Sequence, residues 1–348
     1  MRRVASLKRR ISPLVIIGLL LASFSGCQGF IYKKTGQAVT TYSEDVMLAS
    51  MLAGDDVDMA CDTGVALSPL LLSFKSQAVE VEKLGILMSN LTGFCAQQRA
   101  WQHELQRLRA LHGNDTIVAK DAAVAQQRAL TVAAARQYKG FLQLARVFGP
   151  IGEQCPELET KERQFYFLVG LVNGLQATQS NISAMQPIDV PLALVKQIGR
   201  ASQCLNDDQW WGVPTAINVL AASLTPNDIP LAESIAKLDS AMAQGDAQGV
   251  RLSHVLAAEF YLARSDKQQA KAIVTSFAQN SKRITSNAGS DQPYQLLDQM
   301  AYRHLLFIAD RFWTEEAGFR TPVGQFGRFY KDKPALDERE PIDIDELI

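Results

Sequence analysis

The stretch 84–109, LGILMSNLTGFCAQQRAWQHELQRLR, sets Leu84, Leu87, Met88, Leu91 and Cys95 at helical spacing. Trp101, Leu105 and Leu108 carry the stripe on, while His103, Glu104, Arg107 and Arg109 fall off it. Apolar residues at i, i+3, i+4 and i+7 belong to one face of an α-helix, not to the alternation of a strand. Working outward, Leu130, Ala134, Tyr138, Phe141, Leu142 and Ala145 form a second long helix that stops at Gly149-Pro150. Phe165, Leu168, Val169 and Val172 begin a third. Turn residues fall between the stripes, at Gly113-Asn114-Asp115, Gln186-Pro187, Pro226-Asn227-Asp228, Gly245-Asp246 and Gly289-Ser290. Asn227 and Asp228 stand where N-cap oxygens belong, before a helix starting near Pro230. Period-two patterns are nearly absent, so the expected fold is all-α, with short turns joining antiparallel helical hairpins.

One hairpin carries a repeat signature. Ala258, Tyr261, Ala270 and Val274 match the small, aromatic, small and bulky positions of a tetratricopeptide unit, with Ser265-Asp266 at the turn. Small residues let two helices approach, and the aromatic fills the wedge between them. The expectation is a degenerate tetratricopeptide-like superhelix over 41–317; a non-repetitive helical bundle is the alternative.

The N-terminus is of another kind. Arg2, Arg3, Lys8, Arg9 and Arg10 precede an apolar run from Leu14 to Phe24 and then Ser25-Gly26-Cys27. A cationic segment, a short apolar segment and small residues form an export signal. The run falls short of the roughly 20 residues needed to span a bilayer, and no second stretch approaches that length. Ser25-Gly26-Cys27 resembles a bacterial lipobox, with Phe24 where leucine is usual. An ordinary signal peptide or an uncleaved anchor also fits these residues; the small pair before the cysteine favours the lipoprotein. The expected organisation is a signal peptide over 1–26, a polar tether over 27–40 beginning at a lipidated Cys27, the helical domain, and an extended segment with an acidic tail over 318–348. Gln28 in place of an aspartate favours the outer membrane of a Gram-negative cell.

Cleavage removes five of 35 basic residues and none of 36 acidic ones, leaving a body about six charges negative. That balance argues against nucleic acid. Four cysteines remain besides Cys27, and an even number suits an oxidising compartment. Three pairings are possible. Cys61–Cys95 and Cys155–Cys204 are favoured, because each would staple neighbouring hairpins; four buried free thiols are the alternative.

Catalytic signatures are missing: there is no HExxH, GxSxG, phosphate-binding loop or dinucleotide fingerprint. His103, His112, His254 and His304 lie apart, each read as a helix-surface or core residue. Asp55, Asp56, Asp58 and Asp62 lack the spacing of a calcium loop, and negative charge at a helix N-terminus explains them better. No cofactor or metal is expected. In Trp210-Trp211, adjacent helical residues would point about 100° apart, so one ring could face outward as a binding residue. Phe312-Trp313 repeats this pattern near the end of the last long helix. Trp210, Trp211, Tyr261 and Trp313 are therefore the partner- or ligand-binding candidates. The Gly, Phe and Arg residues of 318–330 read as an extended, partly docked segment.

Three stretches resemble the T-component family of tripartite ATP-independent periplasmic (TRAP) transporters. They are Asp55-Asp56 with Ala60, Leu67 and Pro69-Leu70-Leu71; the helix from Ala125 to Leu142 with Arg128, Arg136, Tyr138 and Gly140-Phe141-Leu142; and Trp210-Trp211-Gly212 through Pro230 to the Ala258–Ala270 unit. The resemblance implies a lipid-anchored scaffold that self-associates, binds a periplasmic substrate-binding protein and handles hydrophobic ligands. A structural or assembly lipoprotein of the envelope is the alternative.

Overall fold

The computed structural model describes residues 29–224, 229–287 and 293–330. The export signal with Phe24, Cys27, the caps Asn227 and Asp228, and the acidic tail lie outside the described residues. Among the described residues there is no strand, and the chain is all-α.

Residues 29–42 form α1, which passes through a π-helical turn at Ser43–Met47 into α2 (Leu48–Ala53). Then follow α3 (Val57–Ser73), α4 (Glu82–His112), α5 (Thr116–Phe148), α6 (Lys161–Ser183) and α7 (Ala193–Ser202). The second half comprises α8 (Val213–Ser223), α9 (Leu231–Gln248), α10 (Leu252–Ala263), α11 (Lys267–Asn287) and α12 (Gln295–Ala317). Successive helices pack as neighbours, and α12 returns to rest on both α10 and α4. Side-chain caps fix three starts: Asp56, Asp115 and Thr160 accept from the backbone N–H groups of Met59, Val118 and Arg163. Gly149 (φ 81°) ends α5 after Phe148.

Helices α4, α5 and α6 meet along a seam of glycines and amide side chains. A Cβ at Gly93 would lie 2.6 Å from Gln137 Cγ; one at Gly140 would collide with the Asn173 amide and come within 2.8 Å of Ser89 Cβ. A Cβ at Gly170 would meet Leu144 at 2.5 Å, and one at Gly174 would meet Phe141 at 2.6 Å. The amides that fill these notches are paired. Ser89 Oγ donates to Gln143 Oε1 (3.2 Å), and Asn173 Nδ2 donates to the Ile86 carbonyl (2.9 Å). The Gln137 amide lies 3.2 Å from Gln97 and 2.9 Å from Ser180. Gln137 and Asn173 are fully buried, so this pairing offsets a desolvation cost of about 1–3 kcal/mol for each polar group left unsatisfied.

Both favoured cysteine pairs are at disulfide geometry: Cys61 with Cys95 (Cα–Cα 5.7 Å) and Cys155 with Cys204 (5.5 Å). The first fastens α3 to α4. The second ties the α6 approach loop to the end of α7. In the tetratricopeptide-like hairpin, Ala258, Ala270 and Val274 are fully buried between α10 and α11. Ser265 (φ 60°) makes the turn, and Asp266 Oδ1 accepts from the Gln269 backbone N–H.

Three expectations are corrected. The segment taken as a tether up to position 40 is helical and docks: Gly36 lets α1 approach Phe74 and Val79, with Thr40 buried beside it. Its inward residues are small, which hid the helix from an apolar pattern. A stretch besides the signal is long and apolar enough to cross a membrane, Val57–Gln77, at 21 residues. Asp58 and Asp62 interrupt its pattern, and it is fastened to the body by the Cys61 bridge and an Asp58–Arg303 ion pair (2.8 Å). The Trp210 and Trp211 rings, expected to divide between core and surface, are both buried. The C-terminal segment 318–330 packs as a strap: Phe329 is buried against Phe312, and Trp313 Nε1 donates to the Arg328 carbonyl (2.8 Å).

Gly140→Ala forces Asn173 and Ser89 apart and is expected to cost about 1–3 kcal/mol, the range for an overpacked core, measured by denaturant melts; an unchanged midpoint would contradict the seam. In oxidised mature protein, thiol titration should find no free cysteine among Cys61, Cys95, Cys155 and Cys204. Reduction should then destabilise the fold by about 2–4 kcal/mol per bridge.

Candidate functional site

A cavity of about 620 Å³ opens between α4, α5, α6, α7, α8, α10 and α12. Three helices line it with residues at i, i+3, i+4 and i+7: Gln97, Ala100, Trp101 and Glu104 from α4; Leu175, Thr178, Gln179 and Ile182 from α6; His304, Phe307, Ile308 and Arg311 from α12. Each stripe mixes apolar and polar positions, so each helix turns a single mixed face inward.

The aromatic wall is built first. Trp101 stacks on Phe307 with ring centroids 4.7 Å apart and planes 8° from parallel, and the His304 ring lies 4.6 Å from Trp101. Phe94 meets Trp101 edge-on at 5.5 Å. Leu130, Val195 and Leu220 extend this apolar surface from α5, α7 and α8. The rim is apolar as well: Ile182, Leu192 and Leu224 are 50%, 59% and 44% exposed. Three large, exposed apolar side chains thus lie at the cavity.

Two ion pairs cross the cavity. His304 Nε2 lies 2.9 Å from Glu259 Oε1, joining α12 to α10, and Gln179 Nε2 donates to Glu259 Oε2 (2.9 Å) from α6. Arg311 Nε lies 2.9 Å from Glu104 Oε1, joining α12 to α4, and Gln126 Nε2 donates to Glu104 Oε2 (2.9 Å). Burial would raise the Glu259 carboxyl, but the His304 hydrogen bond and charge, Arg311 and Gln179 outweigh it and hold it below the usual range. A carboxylate beside a histidine is also what an acid–base enzyme would carry. Here both oxygens of each carboxylate are engaged by neighbouring helices, and the Thr178 hydroxyl donates to the Gly174 carbonyl. The arrangement braces the walls of an apolar chamber. With about 620 Å³ and mixed walls, it has the size of a small-molecule site.

The residues expected from the sequence lie elsewhere. Trp210 and Trp211 are both buried, 2% and 4% exposed, and neither ring faces outward. They sit in a turn, not a helix: Trp211 has φ 59° and Gly212 φ 72°, so the 100° rotation does not apply. Trp210 Nε1 donates to Gln164 Oε1 (3.0 Å), and Trp211 meets Tyr294 at 4.9 Å. Trp211 does line a second apolar cavity of about 70 Å³, which shares His304 with the large one. Trp313 is 1% exposed beneath the C-terminal strap. Tyr261 is buried in its hairpin and edges a separate cleft with Arg264 and Asp266. The acidic group acts as foreseen: Asp56 caps α3, and Asp58 in its first turn pairs with Arg303. Among the described residues, no three His, Cys, Asp or Glu side chains gather where a metal could sit.

Sequence inspection missed Glu104, Glu259, His304 and Arg311. The signal was present: His304, Phe307, Ile308 and Arg311 share one helix face, as do Gln97, Trp101 and Glu104. A search for apolar stripes alone passes over a stripe with polar ends.

No family model, curated protein or solved structure matches the chain.

Because the Glu259 carboxyl is held low, its stabilising contribution is fully present above the ordinary carboxyl value of about 4.3 and is lost as pH falls through the folded value. Thermal melts of the wild type and Glu259→Gln should differ near neutral pH, and the gap should shrink as pH falls below the ordinary carboxyl range. A gap of constant size across that range would contradict the assignment.

Proposed function

We propose that this chain is a non-enzymatic, lipid-anchored helical-repeat scaffold on the periplasmic face of the outer membrane. It holds an apolar ligand and presents it to a partner protein, the substrate-binding component of a TRAP-type transporter. The carrying observation is the open cavity of about 620 Å³, with an aromatic wall, an apolar rim and charges already paired with one another. A chamber whose charged side chains pair with one another favours ligands that bring bulk and few charges. The paired carboxylates join α12 to α10 and to α4 across it.

Anchoring is supported by the cationic and apolar N-terminus ending at Cys27, and the partner by the resemblance in the Asp55–Leu71, Ala125–Leu142 and Trp210–Ala270 stretches. The exposed rim residues Ile182, Leu192 and Leu224 offer a partner the surface around the mouth.

Affinity capture from membranes, with Cys27 retained and bound proteins identified by mass, should recover a periplasmic substrate-binding protein. Recovery of envelope-assembly factors alone would overturn the transport reading in favour of a structural lipoprotein.

A further inference from the structure

We propose that the first two turns of α1 lie in the interface of a phospholipid bilayer, with Phe30, Ile31 and Tyr32 entering the headgroup layer beside the acylated Cys27. This rests on the anchoring part of the function proposed above.

Every residue from 29 to 35 is exposed. Among them Phe30, Ile31 and Tyr32 are 63%, 58% and 49% exposed, three large apolar side chains in succession on a helix. Chain length then limits where they can be. Three residues span at most about 11 Å and five at most about 18 Å even when fully extended. Phe30 and Tyr32 therefore stay within those distances of Cys27. Acyl chains on Cys27 must reach hydrocarbon, and the polar layer above it is roughly 5–8 Å thick. The Phe30 backbone can thus stand at most about 3–6 Å clear of that layer, a distance its own ring can cover.

The side chains suit that depth. Aromatic rings concentrate at the membrane–water boundary, and interfacial helices bury their apolar side about 5–10 Å into it. Lys33 and Lys34 follow at once, both exposed, with Lys34 Nζ 5.9 Å from the Phe30 ring centroid. Cations there meet anionic headgroups. The orientation passes to the whole body, because Gly36 locks α1 against Phe74 and Val79.

The test uses the full, lipid-modified protein in vesicles of phosphatidylethanolamine and phosphatidylglycerol. Phe30→Trp and, independently, Ile31→Trp are compared with Ile117→Trp, a position 81% exposed at the start of α5. Native tryptophans are buried and subtract as background. The expected result is blue-shifted emission at 30 and 31, quenched by bromolipids about two-fold or more over position 117, since only interfacial side chains reach the lipid. Equal quenching at all three positions would overturn the proposal. A blue shift without bromolipid quenching would also overturn it and identify a second copy of the chain as the covering surface. The intact mass separates the two readings. Acylated protein with an unquenched position 30 fails this proposal alone; protein lacking the acyl mass fails the anchoring itself.

Discussion

The close approach of α4, α5 and α6 is the constraint on which the remaining architecture depends. Interaxial distance is set by the side chains at the contact. At Gly85, Gly93, Gly140, Gly170 and Gly174 there is no side chain, and the gap is filled by Gln143, Gln137, Asn173, Leu144 and Phe141. Glycine in a helix interior costs up to about 1 kcal/mol relative to alanine. Here that cost is offset by packing that a Cβ would prevent.

The seam also explains the cavity. The glycines lie in the first half of α4, the second half of α5 and the first half and middle of α6, towards one end of this antiparallel layer. At the other end the same helices carry Trp101, Glu104, Gln126, Leu130, Gln179 and Ile182, and there the cavity opens. Gln137 marks the change, facing Gly93 on one side and reaching Gln97 on the other. The helices interlock where they carry glycine and line the cavity where they carry bulk. Helix α12 spans the cavity end, held by His304–Glu259 and Arg311–Glu104. Behind it, the buried Arg251–Asp298 pair ties α12 to the start of α10, with the Arg251 guanidinium 3.8 Å from the Phe277 ring centroid.

The long helices were legible because periodicity over thirty residues is a strong signal, as in Leu84–Cys95. The cysteine pairs followed from hairpin neighbourhood and chemistry, and the helix start at Asp56 and Asp58 from the negative charge that a helix N-terminus favours. Where the sequence misled, a local feature broke the helical premise. Trp210-Trp211 sits in a turn with two successive left-handed residues. Residues 29–42 are helical through small inward residues, without an apolar stripe. Glu104 was assigned to the outer face because stripes were counted as apolar. Its partner Arg311 lies 207 positions away, and only the return of α12 onto α4 brings the two together. Contacts of that range have no local signature.

On the proposed function, the cavity at one end of the three-helix layer holds an apolar molecule. The direct measurement is native mass spectrometry of protein taken from membranes without lipid stripping, followed by extraction and identification of what it carries. Wild-type chain should carry one apolar molecule beyond its covalent lipid, and Leu262→Trp, which fills the cavity from α10, should carry none. An empty wild-type chain, or equal loading of both, would contradict the account.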